Sequence, residues 1–264
     1  MSQSAHGRFV WYDLMTTDPV AAKAFYNQLV GWGTKPWQES GPPYTMWIAG
    51  SEAIGGVMDL PKEAADAGAP PNWIAYIAVS DIEVVCERAT ELGGVVLHPA
   101  TDIPGAGCFA ILQDPQGAVF AVYASDSLSD DPPQQPGIGQ ISWHELATSD
   151  FAAGYDFYCE LFGWESKEDM DMGGGWMYRI YGQPESFPLG GMFTKPAEMP
   201  GPPMWLYYIS VPSVTEAVAR VKELGGKVLN GPMEVPGGDM IAQCMDPQGA
   251  VFALHSRAAG GDSA

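Results

Sequence analysis

The sequence predicts an α+β protein built from two copies of one domain, each copy holding two units in which a strand leads into a capped helix and about three strands follow. Three observations carry this reading. The octapeptide DPQGAVFA begins at Asp114 and again at Asp246, an offset of 132 residues. At that same offset residues 11–32 match residues 143–164 at 10 of 22 positions, and PPNWIAYIAV from Pro70 answers PPMWLYYISV from Pro202. ELGGVVL from Glu91 likewise answers ELGGKVL from Glu223. Such self-similarity marks an internal repeat.

The first helix of each copy has its punctuation written out. Asp18 is a good N-cap, Pro19 suits the first helical position, and Ala22, Phe25, Tyr26 and Leu29 share one face before Gly31 ends the helix. In the second copy Asp150 opens the equivalent helix, Gly154, Phe157, Tyr158 and Leu161 line up, and Gly163 closes it. A later helix runs from Asp81 to Leu92 with Ile82, Val85, Cys86 and Ala89 inward, and its partner carries Val214, Ala217, Val218 and Val221. Apolar strands start at Tyr44, Trp73, Cys108 and Ala118. DPQG is turn chemistry: Asp bonds the backbone beyond it, Pro presets φ, and Gly takes the position other residues resist.

Domains are expected over residues 7–124 and 140–257, with a Ser-, Asp-, Pro- and Gln-rich exposed linker over 125–139. With 12 Lys plus Arg against 32 Asp plus Glu the net charge is -20, a field that disfavours nucleic acid and anionic membranes as partners. The start MSQSAHGRFV has no signal-peptide pattern and no apolar run is long enough to span a bilayer, so a soluble, cytoplasmic protein is expected. The four cysteines are scattered singly and read as buried, reduced thiols. His6, in the starting segment expected to be flexible, and His98 are assigned no role.

The D-x6-FY-x3-[hydrophobic]-G helix at Asp18 and Asp150, together with the late DPQG hairpins, resembles the glyoxalase, bleomycin-resistance and extradiol dioxygenase superfamily, also called the vicinal oxygen chelate superfamily. The resemblance covers nearly the whole chain, twice, and is nearest to two-domain glyoxalase-like proteins related to lactoylglutathione lyase. It implies tandem glyoxalase-fold domains, four βαβββ modules whose curved mixed sheets form cups, and it implies a divalent metal held by His, Gln and Glu. Such a metal polarises vicinal oxygens of a substrate.

Carried onto this chain, the family's ligand positions hold the wrong residues. The first falls on Trp11 and Trp143, and the last on Ala121 and Ala253. The third falls among Trp73, Ile74 and Ala75 or Trp205, Leu206 and Tyr207, and the remaining one near Gly56 or Gly191. Indole has no lone pair for a metal. No cofactor is therefore expected, and a divalent metal is disfavoured. Relocated ligands are the alternative: strand alternation puts Asp13 and Glu145 on the face of Trp11 and Trp143, and Tyr123 and His255 on that of Ala121 and Ala253, so Glu145 and His255 are candidates to meet across a cup.

Asp13 and Glu145 read either as solvated strand carboxylates or as a general base in an apolar pocket. Trp11, Trp73, Trp143 and Trp205, with Tyr123 and His255, read either as core or as the lining of an aromatic cup. The expected function is binding of a small organic molecule without the usual metal, either in a glyoxalase-related enzyme or in a sequestering, resistance-type protein. The alternatives are a metal-dependent lyase, isomerase or dioxygenase (or a hydroxylase), and a non-catalytic structural or partner-binding protein. A homodimer stays open, since the tandem halves offer internally the two-fold contact that single-domain relatives obtain by pairing chains.

Overall fold

A computed structural model of the chain describes residues 5–37, 43–129 and 134–258. Residues 130–133 of the expected linker and the first four of the starting segment lie outside the described residues. The first copy runs β1 (Phe9–Thr16), α1 (Pro19–Val30), β2 (Gly33–Pro36), β3 (Tyr44–Ala49) and β4 (Glu52–Asp59), then a short α2 (Lys62–Asp66). It continues with β5 (Asn72–Ala78), α3 (Ile82–Glu91), β6 (Val95–Ile103), β7 (Gly107–Gln113) and β8 (Val119–Ala124). The second copy repeats this as β9 (Ile141–Thr148), α4 (Phe151–Phe162), β10 (Glu165–Asp171), β11 (Met177–Gly182) and β12 (Pro188–Thr194), then β13 (Met204–Ser210), α5 (Val214–Glu223), β14 (Lys227–Glu234), β15 (Met240–Met245) and β16 (Val251–Ser256). These are the four expected βαβββ modules.

The strands form two eight-stranded mixed sheets, ordered β2-β3-β4-β1-β5-β8-β7-β6 and β10-β11-β12-β9-β13-β16-β15-β14. Pairs β1·β4, β5·β8, β9·β12 and β13·β16 are parallel, which requires the crossover helices. The caps are as expected: Asp18 accepts from the N–H groups of Val20 and Ala21, and Gly31 closes α1 in the left-handed region at φ 75°. Asp150 and Gly163 do the same for α4. All four cysteines are free; only Cys244 is buried, and the other three are half-buried rather than buried.

The described residues divide into two compact units, one within 1–11, 74–135 and 143–205, the other within 12–73, 136–142 and 206–264. In the first, the DPQG hairpin carboxylate does more than shape a turn. Asp114 is 2% exposed. Its Oδ1 accepts the N–H groups of Gln116 and Ala118, both at 2.9 Å, and its Oδ2 accepts the Tyr158 hydroxyl of α4 at 3.1 Å. Tyr158 Oη in turn accepts Trp205 Nε1–H at 3.0 Å. Gln116 binds the start of the same helix, its Oε1 accepting Thr148 Oγ1–H and the Asp150 N–H.

The second unit has the same chain with the copies exchanged. Asp246 accepts the N–H groups of Gln248, Gly249 and Ala250 and, at 3.2 Å, the Tyr26 hydroxyl, which accepts Trp73 Nε1–H at 3.0 Å. A further repeated tie closes each unit: Trp164 Nε1–H donates to Gly7 O at 2.8 Å in one, and Trp32 Nε1–H to Gly139 O at 2.6 Å in the other. Trp164 to Gly7 joins one sequence copy to the other, and Trp32 reaches Gly139, the repeat equivalent of Gly7. His6, expected in a flexible start, is held in the first unit by Leu161 O at 3.0 Å and by Gln183 Nε2–H on its own carbonyl.

His144 is buried in the first unit, stacked on Phe9 with centroids 3.7 Å apart, and its Nδ1–H donates to Leu189 O at 2.7 Å. Burial lowers its pKa to about 3, the bond to Leu189 opposing the shift.

Two measurements follow from this packing. Tyr158→Phe leaves Trp205 N–H and one Asp114 oxygen without their partner, and should lower urea stability by about 1–3 kcal/mol. An unfolded histidine takes up a proton below a pH of about 6.5, whereas folded His144 stays neutral down to about 3. Stability present above that range is therefore lost as pH falls through it. Urea midpoints across this window should fall less steeply in His144→Gln, by about one proton, or ~1.4 kcal/mol per pH unit.

Candidate functional site

Strand alternation sorts the candidates. On β9, Leu146 and Thr148 face α4, where a Cβ added to Gly154 would lie 3.8 Å and 3.4 Å from them. Trp143 and Glu145 point to the opposite side of the sheet. Glu145 is 8% exposed and its Oε2 accepts the Tyr178 hydroxyl at 3.0 Å, while Tyr178 Oη accepts Trp143 Nε1–H at 2.8 Å. Indole, phenol and carboxylate thus form one chain of hydrogen bonds, with Phe193 stacked on Tyr178 at 6.0 Å. All of these residues belong to the first compact unit.

A glycine makes the chain possible. Gly191 pairs in register with Glu145, and a Cβ there would overlap the Tyr178 ring. The ring lies flat over the bare backbone and brings its hydroxyl to the carboxylate. The second unit holds the same arrangement: Gly56 pairs with Asp13, a Cβ at Gly56 would overlap the Tyr44 ring, and Tyr44 Oη–H donates to Asp13 Oδ1 at 2.5 Å. Asp13 is 5% exposed; Trp11, two residues before it in sequence, is half-buried and belongs to the first unit.

Sequence reasoning misses Tyr44 and Tyr178. A weak signal exists, a tyrosine opening a strand before a Gly-Gly pair in both copies. The offset there grows from 132 to 134 between the tyrosines and 135 between the glycines, so the two do not align with the rest of the repeat.

The other candidates separate. Trp73 and Trp205 lie on the helix side of their strands in buried aromatic clusters. Trp73 packs with Tyr26 at 5.3 Å and Trp32 at 5.9 Å, and Trp205 with Tyr158 at 5.2 Å and Tyr181 at 6.2 Å. Their indole N–H groups are the ends of the two hairpin chains already described, so these two rings serve the core. Tyr123 is half-buried and donates to Ala106 O at 2.6 Å. His255 has both ring nitrogens engaged, Nδ1 with Ser142 Oγ at 2.8 Å and Nε2 with Asp239 Oδ2 at 2.9 Å.

The residues present do not fit the metal that the family resemblance implies. Indole at Trp11 and Trp143 offers no lone pair. At Gly56 and Gly191 a tyrosine ring fills the space a ligand side chain would need. Ala121 and Ala253 stand opposite Tyr76 and Tyr208 in register, again without a donor. Among the described residues no group of three or more His, Cys, Asp or Glu side chains is placed to hold a metal ion, and no helix is long and apolar enough to cross a membrane.

Gly191→Ala tests the carboxylate–tyrosine geometry. The new methyl group must push Tyr178 off Glu145, so near-ultraviolet circular dichroism should change and stability should drop by about 1–3 kcal/mol. Pairing it with Tyr178→Ala should erase most of that cost, because the clash is then gone.

Comparison with known proteins agrees with this architecture. The family model described as Glyoxalase/Bleomycin resistance protein/Dioxygenase superfamily matches residues 8–122 and again 137–254. CFP32 of Mycobacterium tuberculosis, named as a candidate glyoxylase, is 32% identical over 261 residues, spanning 96% of each chain. The anthracycline biosynthesis protein DnrV of Streptomyces peucetius is 29% identical over 283 residues, covering 100% of both. Among solved structures, 2,2',3-trihydroxybiphenyl 1,2-dioxygenase from Sphingomonas wittichii superposes with a TM-score of 0.67 at 13% identity, over 95% of this chain and 90% of that one. The Mn(II)-bound glyoxalase from Novosphingobium aromaticivorans gives 0.62 at 18% identity, over 97% and 83%. With two tandem family matches, the repeated βαβββ modules and the paired DPQG hairpins, the chain belongs to the glyoxalase/bleomycin resistance protein/dioxygenase superfamily.

Proposed function

We propose that the protein binds a small, planar organic molecule beside its carboxylate–tyrosine pairs, without the metal its family commonly uses, and that Glu145 and Asp13 are the proton acceptors offered to that guest. The observation that carries this reading is the Trp143–Tyr178–Glu145 chain, matched by Tyr44–Asp13. A buried carboxylate accepting a phenol can also accept a donor on a ligand, and half-buried indole and phenol rings offer stacking surface next to it. Trp143 supplies the aromatic surface beside Glu145 in this scheme.

The charge of -20 favours a neutral or cationic guest over an anionic one. Two relatives named as anthracycline biosynthesis proteins, DauV and DnrV, support an aromatic, fused-ring guest. The guest is either held or altered by proton transfer at Glu145 or Asp13; neither route uses nucleic acid or a membrane. Four free cysteines are in keeping with a cytoplasmic location.

Tryptophan fluorescence titrated with a panel of neutral fused-ring aromatics tests the proposal. A quenching ligand should bind, and Trp143→Phe or Glu145→Gln should weaken it roughly tenfold, through a smaller stacking face or an uncharged, weaker acceptor. Binding unchanged in Trp143→Phe, Glu145→Gln and Asp13→Asn would overturn it. Elemental analysis of protein purified without chelator or affinity metal should find no stoichiometric iron, zinc, nickel or manganese; one equivalent of any of these would defeat the metal-free part.

A further inference from the structure

The second copy carries a hydrogen-bonded chain with no counterpart in the first. Ser142 Oγ lies 2.8 Å from His255 Nδ1, and His255 Nε2 lies 2.9 Å from Asp239 Oδ2. Asp239 is anchored in turn: its Oδ1 accepts the Ala258 N–H at 2.8 Å, and its carbonyl accepts the Val235 N–H at 2.9 Å in the β14–β15 turn. At the repeat offset of 132 the first copy has Val10, Tyr123 and Gly107. Duplication therefore does not explain the trio. All three residues lie in the second compact unit.

The proton positions follow from elementary chemistry. Burial pushes the Asp239 carboxyl up, but the bonds from His255 and from the Ala258 backbone outweigh it and hold the group below the usual range. An ionised carboxylate only accepts, so the imidazole Nε2 carries a proton. In the neutral ring Nδ1 is then a lone pair, and the hydroxyl facing it is the donor. The competing acceptor for Ser142, the Tyr208 carbonyl, is farther away at 3.3 Å. The nucleophile lies in hydrogen-bond reach of the base, and the base of the orienting acid, the relation that activates a serine. The His255 side chain is 15% exposed and that of Asp239 36%, so the group is reachable from solvent.

We propose that Ser142 is a nucleophile, His255 its general base and Asp239 the positioning residue, and that the trio transfers acyl groups from small uncharged esters. Ser142 Oγ attacks the ester carbonyl carbon as its proton passes to His255 Nδ1. The tetrahedral adduct collapses, the bond to the alcohol oxygen breaks, and His255 returns the proton to the departing alkoxide. Water attacks the acyl-serine with its proton taken by His255; the bond from the acyl carbon to Ser142 Oγ breaks, His255 returns the proton to Oγ, and the acid leaves. This activity is independent of binding at Glu145 and Asp13.

The experiment treats full-length protein with p-nitrophenyl acetate and, separately, with a fluorophosphonate probe, and reads nitrophenolate release and intact mass. A burst of one equivalent per chain and a single fluorophosphonate adduct mapping to the Ser142 peptide are expected. His255→Gln should slow acylation by at least about 100-fold. Asp239→Asn should slow it as well, with Asp239→Glu recovering part of the rate, which a merely structural role for Asp239 would not produce. Mapping on the unmodified sequence keeps the test independent of whether variants fold. Absence of both burst and adduct, or an adduct on any residue other than Ser142, overturns the proposal.

Discussion

The buried carboxylate of the DPQG hairpin is the interaction on which the rest of the structure depends. Burying a carboxylate costs several kcal/mol unless its oxygens are satisfied. Asp114 and Asp246 meet that condition with backbone N–H groups on one oxygen and a tyrosine hydroxyl on the other. Burial still raises the pKa of both, so the desolvation is offset only in part. What the protein gains is position. The tyrosine is fixed to the hairpin and the tryptophan to the tyrosine, so in one unit α4 and the start of β13 are set against the Asp114 hairpin, and in the other α1 and the start of β5 are set against the Asp246 hairpin.

That fixing decides which face of the sheet the neighbouring side chains take. Once Trp73 and Trp205 are committed to the helix side, strand alternation turns Tyr76 and Tyr208 to the other face, where they sit in register with Ala121 and Ala253. The same alternation sends His144, Leu146 and Thr148 of β9 into the core and leaves Trp143 and Glu145 on the far side. His144 accepts the core role by remaining neutral, its pKa lowered by burial. A glycine in register with each carboxylate then lets a tyrosine ring lie on the sheet and reach it. Aromatic rings thereby occupy the sheet face at Gly56 and Gly191.

The architecture is legible in the sequence because it rests on local signals. Capping residues at Asp18 and Asp150, glycines at 31 and 163, and alternating apolar strands are each satisfied within a few residues, and all four modules follow from them. The site is legible only in part. Strand parity assigns a face to Asp13 and Glu145, but their tyrosine partners come from another strand and from a stretch where the repeat spacing slips. Trp73 and Trp205 look the same as Trp11 and Trp143 in sequence; what separates them is a hydrogen bond to a tyrosine on a helix. The crossed partnership of Asp114 with Tyr158 and Asp246 with Tyr26 is invisible for the same reason, since each joins two motifs that belong to separate copies in the sequence.

Duplication offers a way to tell structural from functional residues within one chain. Elements that must hold the fold recur in both copies with their chemistry intact: Asp-Pro-Gln-Gly, the helix tyrosine, the strand indole, the tryptophan that donates to a glycine carbonyl. Elements outside that shared framework have drifted. Asp13 has become one methylene longer at Glu145 while keeping its tyrosine, which retains an acceptor and shifts its reach. Val10, Tyr123 and Gly107 stand where Ser142, His255 and Asp239 stand in the other copy, a change from one apolar, one phenolic and one bare position to three polar ones bonded in series through His255. Packing does not require that change, because the first copy folds the same module without it. A buried or half-buried polar trio that the fold can do without carries a desolvation cost with no structural return, and the asymmetry between the copies is therefore where this protein's own chemistry is to be sought.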